Sequence, residues 1–138
     1  MRTTRMFSLA SAAVALFGGL LVAPNASAYE QGCTFSEYQG DTNKWICTNV
    51  GGGGEYVSYI EVKFKKPKDC RIKFKVWGTL KNGKAYRPKP ATTSCSTSDY
   101  AVWKKDQRRR FKAGTKICAA IVEDGRPHSQ HACVPISK

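Results

Sequence analysis

Apolar and polar residues alternate along most of the chain, and this alternation is the dominant pattern in the sequence. A period of two predicts β-strands that bury one face and leave the other in solvent. The clearest example runs from Tyr56 to Phe64, and a second runs from Cys70 to Gly78. The predicted inner face of the first consists of Tyr56, Ser58, Ile60, Val62 and Phe64. No segment has a sustained helical period, so the pattern predicts an all-β chain.

The turn residues 66–69 lie between these two segments and predict that the segments pair as a hairpin. Such a hairpin would collect basic and aromatic residues on its outer face. The set is Tyr59, Lys63, Lys65, Arg71, Lys73, Lys75 and Trp77. A basic sheet face with interleaved aromatic residues can hold single-stranded nucleic acid or anchor an acidic protein partner. The alternative is an ordinary solvated face of an antiparallel sheet.

Turn residues elsewhere predict the rest of the fold. Asn82-Gly83 suits a two-residue turn between Trp77–Lys81 and Lys84–Pro88, and Gly51–Gly54 is expected to form a flexible loop. Further strands are predicted at Lys44–Asn49, Tyr100–Lys105 and Arg109–Lys112. About seven short strands separated by turns predict a small antiparallel β-sandwich or barrel.

The last hairpin predicts a disulfide. If Asp124–Pro127 is its loop, Glu123 faces His128. Counting outward along the two strands then places Cys118 directly opposite Cys133. Two cysteines opposite one another in a non-hydrogen-bonded pair are close enough to bridge.

The even number of cysteines predicts a disulfide framework, as is usual for a short exported chain. The six are Cys33, Cys47, Cys70, Cys95, Cys118 and Cys133. Three bridges are expected, and the sequence alone leaves many connectivities open. Beyond Cys118–Cys133, we predict the sequential pairs Cys33–Cys47 and Cys70–Cys95.

The first 28 residues have the three parts of a secretory signal peptide. Arg2 and Arg5 precede an apolar run from Met6 to Val22, and the small residues Ala26-Ser27-Ala28 follow. A membrane anchor is the alternative, but nothing like a stop-transfer sequence follows the run. Cleavage after Ala28 would leave a single secreted domain, residues 29–138.

The chain is strongly basic, with a net charge of +13. Removal of Arg2 and Arg5 with the leader would lower the charge to about +11, which still favours anionic partners but also simply aids solubility. A second basic patch lies near the middle of the chain. It consists of Lys104, Lys105, Arg108, Arg109, Arg110 and Lys112. This patch is either an anion-binding surface or an exposed charged turn.

Candidate catalytic and metal-binding residues are few. His128 and His131 have a spacing that suggests metal ligands, but on a strand they would point to opposite faces. Cys133 is already required for a disulfide. The chain has no nucleophile elbow and no P-loop, and paired cysteines leave no thiol nucleophile. We therefore expect no metal, no cofactor and no enzymatic activity, with a small ribonuclease as the remaining catalytic alternative.

The end of the chain resembles small secreted, disulfide-stapled proteins of actinobacteria. The residues that carry the resemblance are Phe111–Cys118, Asp124-Gly125 and Ala132–Ile136. One role within that group is the adaptor subunit of umbrella toxin particles, which joins a lectin subunit to a large repeat-bearing toxin. Small secreted protease or amylase inhibitors are similar in size, signal and disulfide use, and such an inhibitor would present the loop Arg87–Ser98 to an enzyme cleft.

These observations predict a secreted, non-catalytic binding module whose partner is another exported protein, either in an assembly or as an inhibited enzyme. The alternative is a cationic antibacterial protein that acts directly on an anionic wall polymer or membrane surface. A nucleic-acid partner is not expected.

Overall fold

The computed structural model describes residues 28–38, 41–65, 71–95 and 100–138, without the side chains of 28, 29, 41–43, 94 and 95. These ranges contain ten β-strands. They contain no helix long and apolar enough to cross a membrane. The strands are β1 (Ala28–Tyr38), β2 (Asp41–Gly53), β3 (Tyr56–Lys65), β4 (Lys73–Thr79), β5 (Ala85–Tyr86), β6 (Ser94–Cys95), β7 (Tyr100–Arg110), β8 (Lys116–Glu123), β9 (Arg126–Pro127) and β10 (Ala132–Pro135). The predicted leader and the predicted Cys70–Cys95 bridge lie outside the described residues and side chains.

The strands form two antiparallel sheets, which confirms the predicted all-β fold class. The first sheet has the order β1-β2-β3-β7-β6. The second has the order β10-β8-β4-β5, with β9 also paired to β8. The described strands outnumber the seven predicted, partly because β5, β6 and β9 are only two residues long. One prediction divided a continuous strand, because Tyr100–Lys105 and the first half of Arg109–Lys112 both lie in β7.

One hydrophobic core lies between the two sheets, which pack face to face. Ile60, Val62 and Phe64 enter it from β3, and Phe74 and Val76 enter it from β4. All five are at most 2% exposed. Burying each of these side chains contributes about 1.5–3 kcal/mol. Because the apolar faces meet in the middle, the outer faces of the two sheets point away from each other.

The predicted hairpin between Tyr56–Phe64 and Cys70–Gly78 is wrong. β3 is hydrogen-bonded to β2 on one side and to β7 on the other, so it has no free edge for β4. β4 pairs instead with β8 and β5 in the opposite sheet. Consecutive strands pair only about two-thirds of the time, and here the connection crosses from one sheet to the other.

The inner face of β3 also differs from the prediction at its beginning. The register shifts between Val57 and Tyr59, which makes Ser58 an extra residue relative to β2. Val57 is therefore buried and Tyr56 is 44% exposed, the reverse of the simple alternation. The predicted loop Gly51–Gly54 is mostly strand, since β2 continues to Gly53 and the turn begins only afterwards.

The hairpin at Asn82-Gly83 is present, but its loop has three residues. The Leu80 amide donates to the Lys84 carbonyl, and the Gly83 amide donates to the Leu80 carbonyl. Gly83 has a φ of 84°, a left-handed conformation that glycine adopts without strain. This arrangement is the three-residue hairpin with glycine in the left-handed position, rather than the two-residue turn predicted.

The last hairpin confirms the predicted Cys118–Cys133 bridge and corrects the turn beside it. Cys118 lies opposite Cys133, and the two are bonded. The turn, however, is the two-residue Asp124-Gly125, whose φ values are both positive, so Glu123 faces Arg126 rather than His128. The register therefore changes by two residues between β9 and β10, where the chain leaves the ladder.

Candidate functional site

The predicted binding face is divided between the two sheets. Tyr59, Lys63 and Lys65 lie on β3 in the first sheet, whereas Lys73, Lys75 and Trp77 lie on β4 in the second. Arg71 precedes β4 on the exposed side. Since the outer faces point in opposite directions, these residues cannot form one surface, and the two halves must be considered separately.

The outer face of the first sheet has an exposed pair of aromatic side chains that the sequence analysis missed. Phe35 on β1 lies directly opposite Trp45 on β2, and their ring centroids are 3.8 Å apart with an interplanar angle of 38°. Phe35 is 50% exposed and Trp45 is 45% exposed. Together with Tyr56 they are the large apolar side chains that remain exposed among the described residues. We call Phe35 and Trp45 the aromatic pair.

A disulfide holds the two strands next to this pair. Cys33 lies opposite Cys47, two residues from Phe35 and Trp45 on the same face, and the two cysteines are bonded. This confirms the predicted Cys33–Cys47 bridge. Because the bridge restrains the neighbouring strand positions, the aromatic pair is presented on a stiff surface.

Two lysines lie on β3, the strand next to Trp45 on the side away from Phe35. Lys63 on β3 lies opposite Cys47, and Lys65 lies opposite Tyr100 on β7. Further along the sheet, the Nζ atom of Lys104 sits 4.7 Å from the ring centroid of Tyr59, which is a cation–π contact. The structure thus joins part of the first predicted set to one residue of the second basic patch.

A small polar network lies between these residues. The Asn49 side-chain amide Nδ2 donates to Glu61 Oε1 over 3.2 Å, and Lys63 Nζ is 3.2 Å from the same oxygen. The amide oxygen of Asn49 is buried and has no hydrogen-bond partner among the described residues. A groove of about 450 Å³ opens here, lined in part by Trp45, Asn49 and Lys65.

The outer face of the second sheet has a similar composition but a different surface. Trp77 is only partly exposed and lies opposite Cys118 of the disulfide. Its ring meets His131 edge to face at a centroid distance of 4.8 Å. Lys75 Nζ is 5.9 Å from the Trp77 ring centroid. The tryptophan of this face is therefore already packed against side chains of its own sheet.

The rest of the second basic patch follows β7 and the residue after its end. Lys105, Arg108, Arg109, Arg110 and Lys112 are all exposed. Within the described ranges β7 pairs with β6 only at Ala101 and Val102, so most of that edge has no strand partner. Charged side chains at an open strand edge also discourage edge-to-edge aggregation.

The two histidines have different contacts, but neither lies on a strand, so the predicted opposite orientation on one strand does not apply. His128 Nδ1 is 3.3 Å from the Ser36 hydroxyl, and His128 Nε2 is 2.8 Å from Glu123 Oε2. This order resembles the relay of a serine hydrolase. Ser36, however, is only 1% exposed, and its hydroxyl faces His128 in the interior between the two sheets. The three residues instead link β1 of the first sheet to β8 of the second.

The described part of the chain offers no clear metal centre. It contains no group of three His, Cys, Asp or Glu side chains that could hold a metal ion. His131 packs edge to face against Trp77.

Comparisons with known proteins identify no relative. No family model, no curated protein and no solved structure matches the chain. Function is therefore inferred from the surface chemistry alone.

Proposed function

We propose that this chain is an exported, non-catalytic binding module that engages another exported protein through the outer face of its first sheet. The observation that carries the proposal is the exposed aromatic pair on strands joined by the Cys33–Cys47 bridge. Tryptophan residues on a rigid surface are common anchors of protein interfaces, because they bury much area at little conformational cost. The disulfides are typical of a protein that folds in an oxidising compartment, which agrees with export.

The charge around the aromatic pair indicates what the partner should offer. Lys63 and Lys65 lie on the strand next to Trp45, Lys104 lies further along the same sheet, and the whole chain carries a net charge of +13. An acidic surface on the partner would be steered toward this face and held in register. Affinity should then rest on the aromatic contacts and decrease only moderately with salt.

An inhibitor would use a different part of the molecule. Residues 87–92 are mostly exposed between buried Tyr86 and buried Thr93. Thr93 is fixed to Ile72 by two hydrogen bonds, one from its amide at 2.9 Å and one to its hydroxyl at 3.1 Å. This loop, which includes Lys89, is thus anchored at its base and supports the inhibitor as the second form of the proposal. An adaptor would use the first-sheet face, with this loop available for another contact.

The alternative is a cationic antibacterial protein that binds an anionic wall polymer or membrane surface directly. The exposed basic residues along β7 support it, because they form a row of charges that needs no specific partner. Such binding is dominated by charge and should weaken steeply as salt rises.

The deciding experiment is affinity capture from the culture supernatant of the producing organism, at low and at moderate salt. The bait is the purified domain, compared with the double variant Trp45→Ala/Lys65→Gln and with the matched control Trp77→Ala/Lys75→Gln. We expect a stoichiometric protein that stays bound at moderate salt, with about tenfold or greater loss of affinity in the first variant alone.

Three other results would favour a different interface or a different function. Recovery of wall fragments or lipid that dissociate on adding salt would favour the cationic protein. Equal loss in both variants would mean that the first-sheet face is not the interface. Loss on Lys89→Ala with no effect of Trp45→Ala would assign the contact to the anchored loop and favour the inhibitor.

A further inference from the structure

The buried amide of Asn49 points to a ligand site within the first-sheet face. Asn49 is 1% exposed, and its Nδ2 donates to Glu61 Oε1 over 3.2 Å. A carboxylate oxygen only accepts, so this bond fixes which end of the amide is which. The Oδ1 atom is the other end, and it has no hydrogen-bond partner in the described part of the chain. A buried acceptor without a donor is unfavourable, and a ligand that brings an N–H or O–H group would relieve it.

The groove above Asn49 has the size of a small-ligand site. Its volume is about 450 Å³, within the range of known ligand pockets. It is lined by Gln31, Trp45, Cys47, Asn49, Lys63, Lys65 and Tyr100. Two of these lining residues are lysines, and one of them, Lys63, has its Nζ atom 3.2 Å from the Glu61 carboxylate, which leaves Lys65 to meet an anionic group. The groove therefore combines an aromatic surface, amide groups and positive charge.

The strands beneath the groove provide no backbone groups for recognition. β2 is hydrogen-bonded to β1 and β3, and β3 is hydrogen-bonded to β2 and β7. A peptide that binds by adding a strand needs a free edge, and neither of these strands has one. Recognition in the groove must therefore rely on side chains, which disfavours an extended peptide.

The aromatic part of the groove suits one flat apolar face. Phe35 packs against Trp45, which leaves the remaining exposed surface of Trp45 for a ligand. A sugar ring offers a C–H face for such a surface and hydroxyl groups around its rim, and hydroxyls both donate and accept hydrogen bonds. The Asn49 Oδ1 atom has almost no exposed surface, so a hydroxyl can donate to it once a lining side chain moves aside. An acidic substituent on the same ring can pair with Lys65, since Lys63 already pairs with Glu61.

We propose that this groove binds an acidic saccharide, a hydroxylated ring that carries a carboxylate or a phosphate group. Trp45 supports the ring, Asn49 accepts a hydroxyl hydrogen bond, and Lys65 pairs with the anionic group. The site goes beyond the proposed function, because it binds its ligand without any protein partner. Its test uses the isolated domain, so failure here and failure of partner capture are separate results.

The test is a titration of the purified domain followed by calorimetry and by NMR. The probes are a trimer of galacturonic acid, glucose 1-phosphate and a neutral galactose trimer. We expect at least one acidic probe to bind about tenfold more tightly than the neutral trimer, since the charged contact is lost in the latter. The Asn49 side-chain amide signals should shift on binding. Those of Asn82, which lies in the exposed β4–β5 loop, should not.

Surface variants assign the binding to the groove. Trp45→Ala and Lys65→Gln should each weaken the acidic probe about tenfold. Lys65→Gln should leave the neutral trimer unchanged. Trp77→Ala and Lys75→Gln, on the second sheet, should change neither. Preference for galacturonate identifies a uronic-acid ligand, and preference for glucose 1-phosphate identifies a phosphorylated one.

Several outcomes would overturn the proposal. They are no binding of any probe, equal binding of acidic and neutral probes, and equal loss in the second-sheet variants. Binding that leaves the Asn49 amide signals unmoved would also overturn it. Tighter binding of an acidic peptide or a single-stranded oligonucleotide through Trp45 and Lys65 would replace the saccharide by that ligand.

Discussion

The outer faces of the two sheets contain the same residue types in different surroundings. Each face has lysines beside one tryptophan, and each has a cross-strand disulfide. Trp45 on the first sheet is 45% exposed and packs against Phe35, which is 50% exposed. Trp77 on the second sheet packs edge-on against His131. The composition of a sheet face therefore does not determine how far its aromatic side chains are exposed; their packing does.

The two disulfides also occupy equivalent cross-strand positions, but they lie next to different aromatic side chains. They close similar loops, with sequence separations of 14 and 15 residues. The Cys33–Cys47 bridge adjoins the exposed aromatic pair, whereas Cys118–Cys133 adjoins the packed Trp77. If the first sheet is the binding face, removal of either bridge should lower the free energy of unfolding by a similar amount. Only removal of Cys33–Cys47 should weaken partner binding.

The largest predicted effect comes from removing either bridge. Cys33→Ala/Cys47→Ala and Cys118→Ala/Cys133→Ala should each lower the free energy of unfolding by about 3 kcal/mol, because a disulfide restricts the unfolded chain according to loop length. Chemical denaturation measures both losses. The variant without Cys33–Cys47 should also bind the captured partner more weakly, and the other variant should not.

Two outcomes would break this comparison. A clear difference between the two stability losses would mean that folded-state contacts, rather than loop closure, dominate one bridge. Equal loss of partner binding in both variants would mean that the bridges act only through overall stability.

The next effect concerns the edge where the two sheets approach each other. A Cβ atom on Gly32 of β1 would lie 1.9 Å from the carbonyl oxygen of Cys133 in β10, so these backbones touch. Gly32→Ala should force β1 and β10 apart and lower the free energy of unfolding by about 1–3 kcal/mol.

Gly53 provides a matched control for this substitution. A Cβ atom there would meet nothing within 4 Å, so Gly53→Ala should change stability by less than about 0.5 kcal/mol. Thermal or chemical denaturation of both variants decides the point. Equal stability of the two variants would contradict the close approach of β1 and β10.

A smaller effect is expected from the link through His128. His128→Ala would remove the hydrogen bonds to Ser36 and Glu123 and leave the Ser36 hydroxyl buried without a partner, at a cost of about 1–2 kcal/mol. Ser36→Ala in the same background should then cost little more, because the two residues interact. Additive losses in this double-mutant cycle would rule out the link. His131→Ala, which loses only an aromatic contact, is the control.

Much of the fold could be predicted from the sequence because its patterns are local. Alternation predicted β3 and β4. A loop count predicted the Cys118–Cys133 pair, although the loop it assumed is two residues too long and the register change between β9 and β10 compensates for this. Pairing between distant strands could not be predicted in this way. The assumption that β3 pairs with the next strand along the chain placed two halves of a supposed binding face together. They actually lie on opposite sides of the molecule.

The aromatic pair was missed although the sequence contained a signal for it. The register argument that placed Cys118 opposite Cys133 also applies to Cys33 and Cys47, and it places Phe35 opposite Trp45 on the same face. The unpaired oxygen of Asn49 could not be found in this way, because it depends on where Glu61 lies in three dimensions. The bulge at Ser58 likewise follows from the pairing with β2 and not from the sequence pattern.

The smallest predicted effect concerns an ion pair between the two sheets. It lies just after the end of β2, whereas Ser36 lies beside the beginning of β2. Lys81, in the β4–β5 loop, lies with its Nζ atom 2.6 Å from Glu55 Oε2, in the turn between β2 and β3. This hydrogen bond, helped by the positive charges of Lys81 and Arg110, lowers the pKa of the Glu55 carboxyl below its ordinary 4.5. Since the folded-state pKa is the lower one, the contribution to stability is present above the ordinary value. It is lost as the pH falls through the folded-state pKa.

Lys81→Met should therefore raise the pKa of Glu55, as measured by NMR titration of its carboxyl signal. It should also reduce the dependence of stability on pH in the region below 4.5. The effect on stability should be slight, because the pair is exposed to solvent and screened by salt. Lys84→Met, an exposed lysine in the same loop, should leave the pKa of Glu55 where it is. If both variants shift the Glu55 pKa equally, the cause is the general positive charge of the loop. The two sheets would then be held at this end by packing and by backbone hydrogen bonds, such as those from the Lys81 amide to the Arg110 carbonyl and from the Lys112 amide to the Thr79 carbonyl.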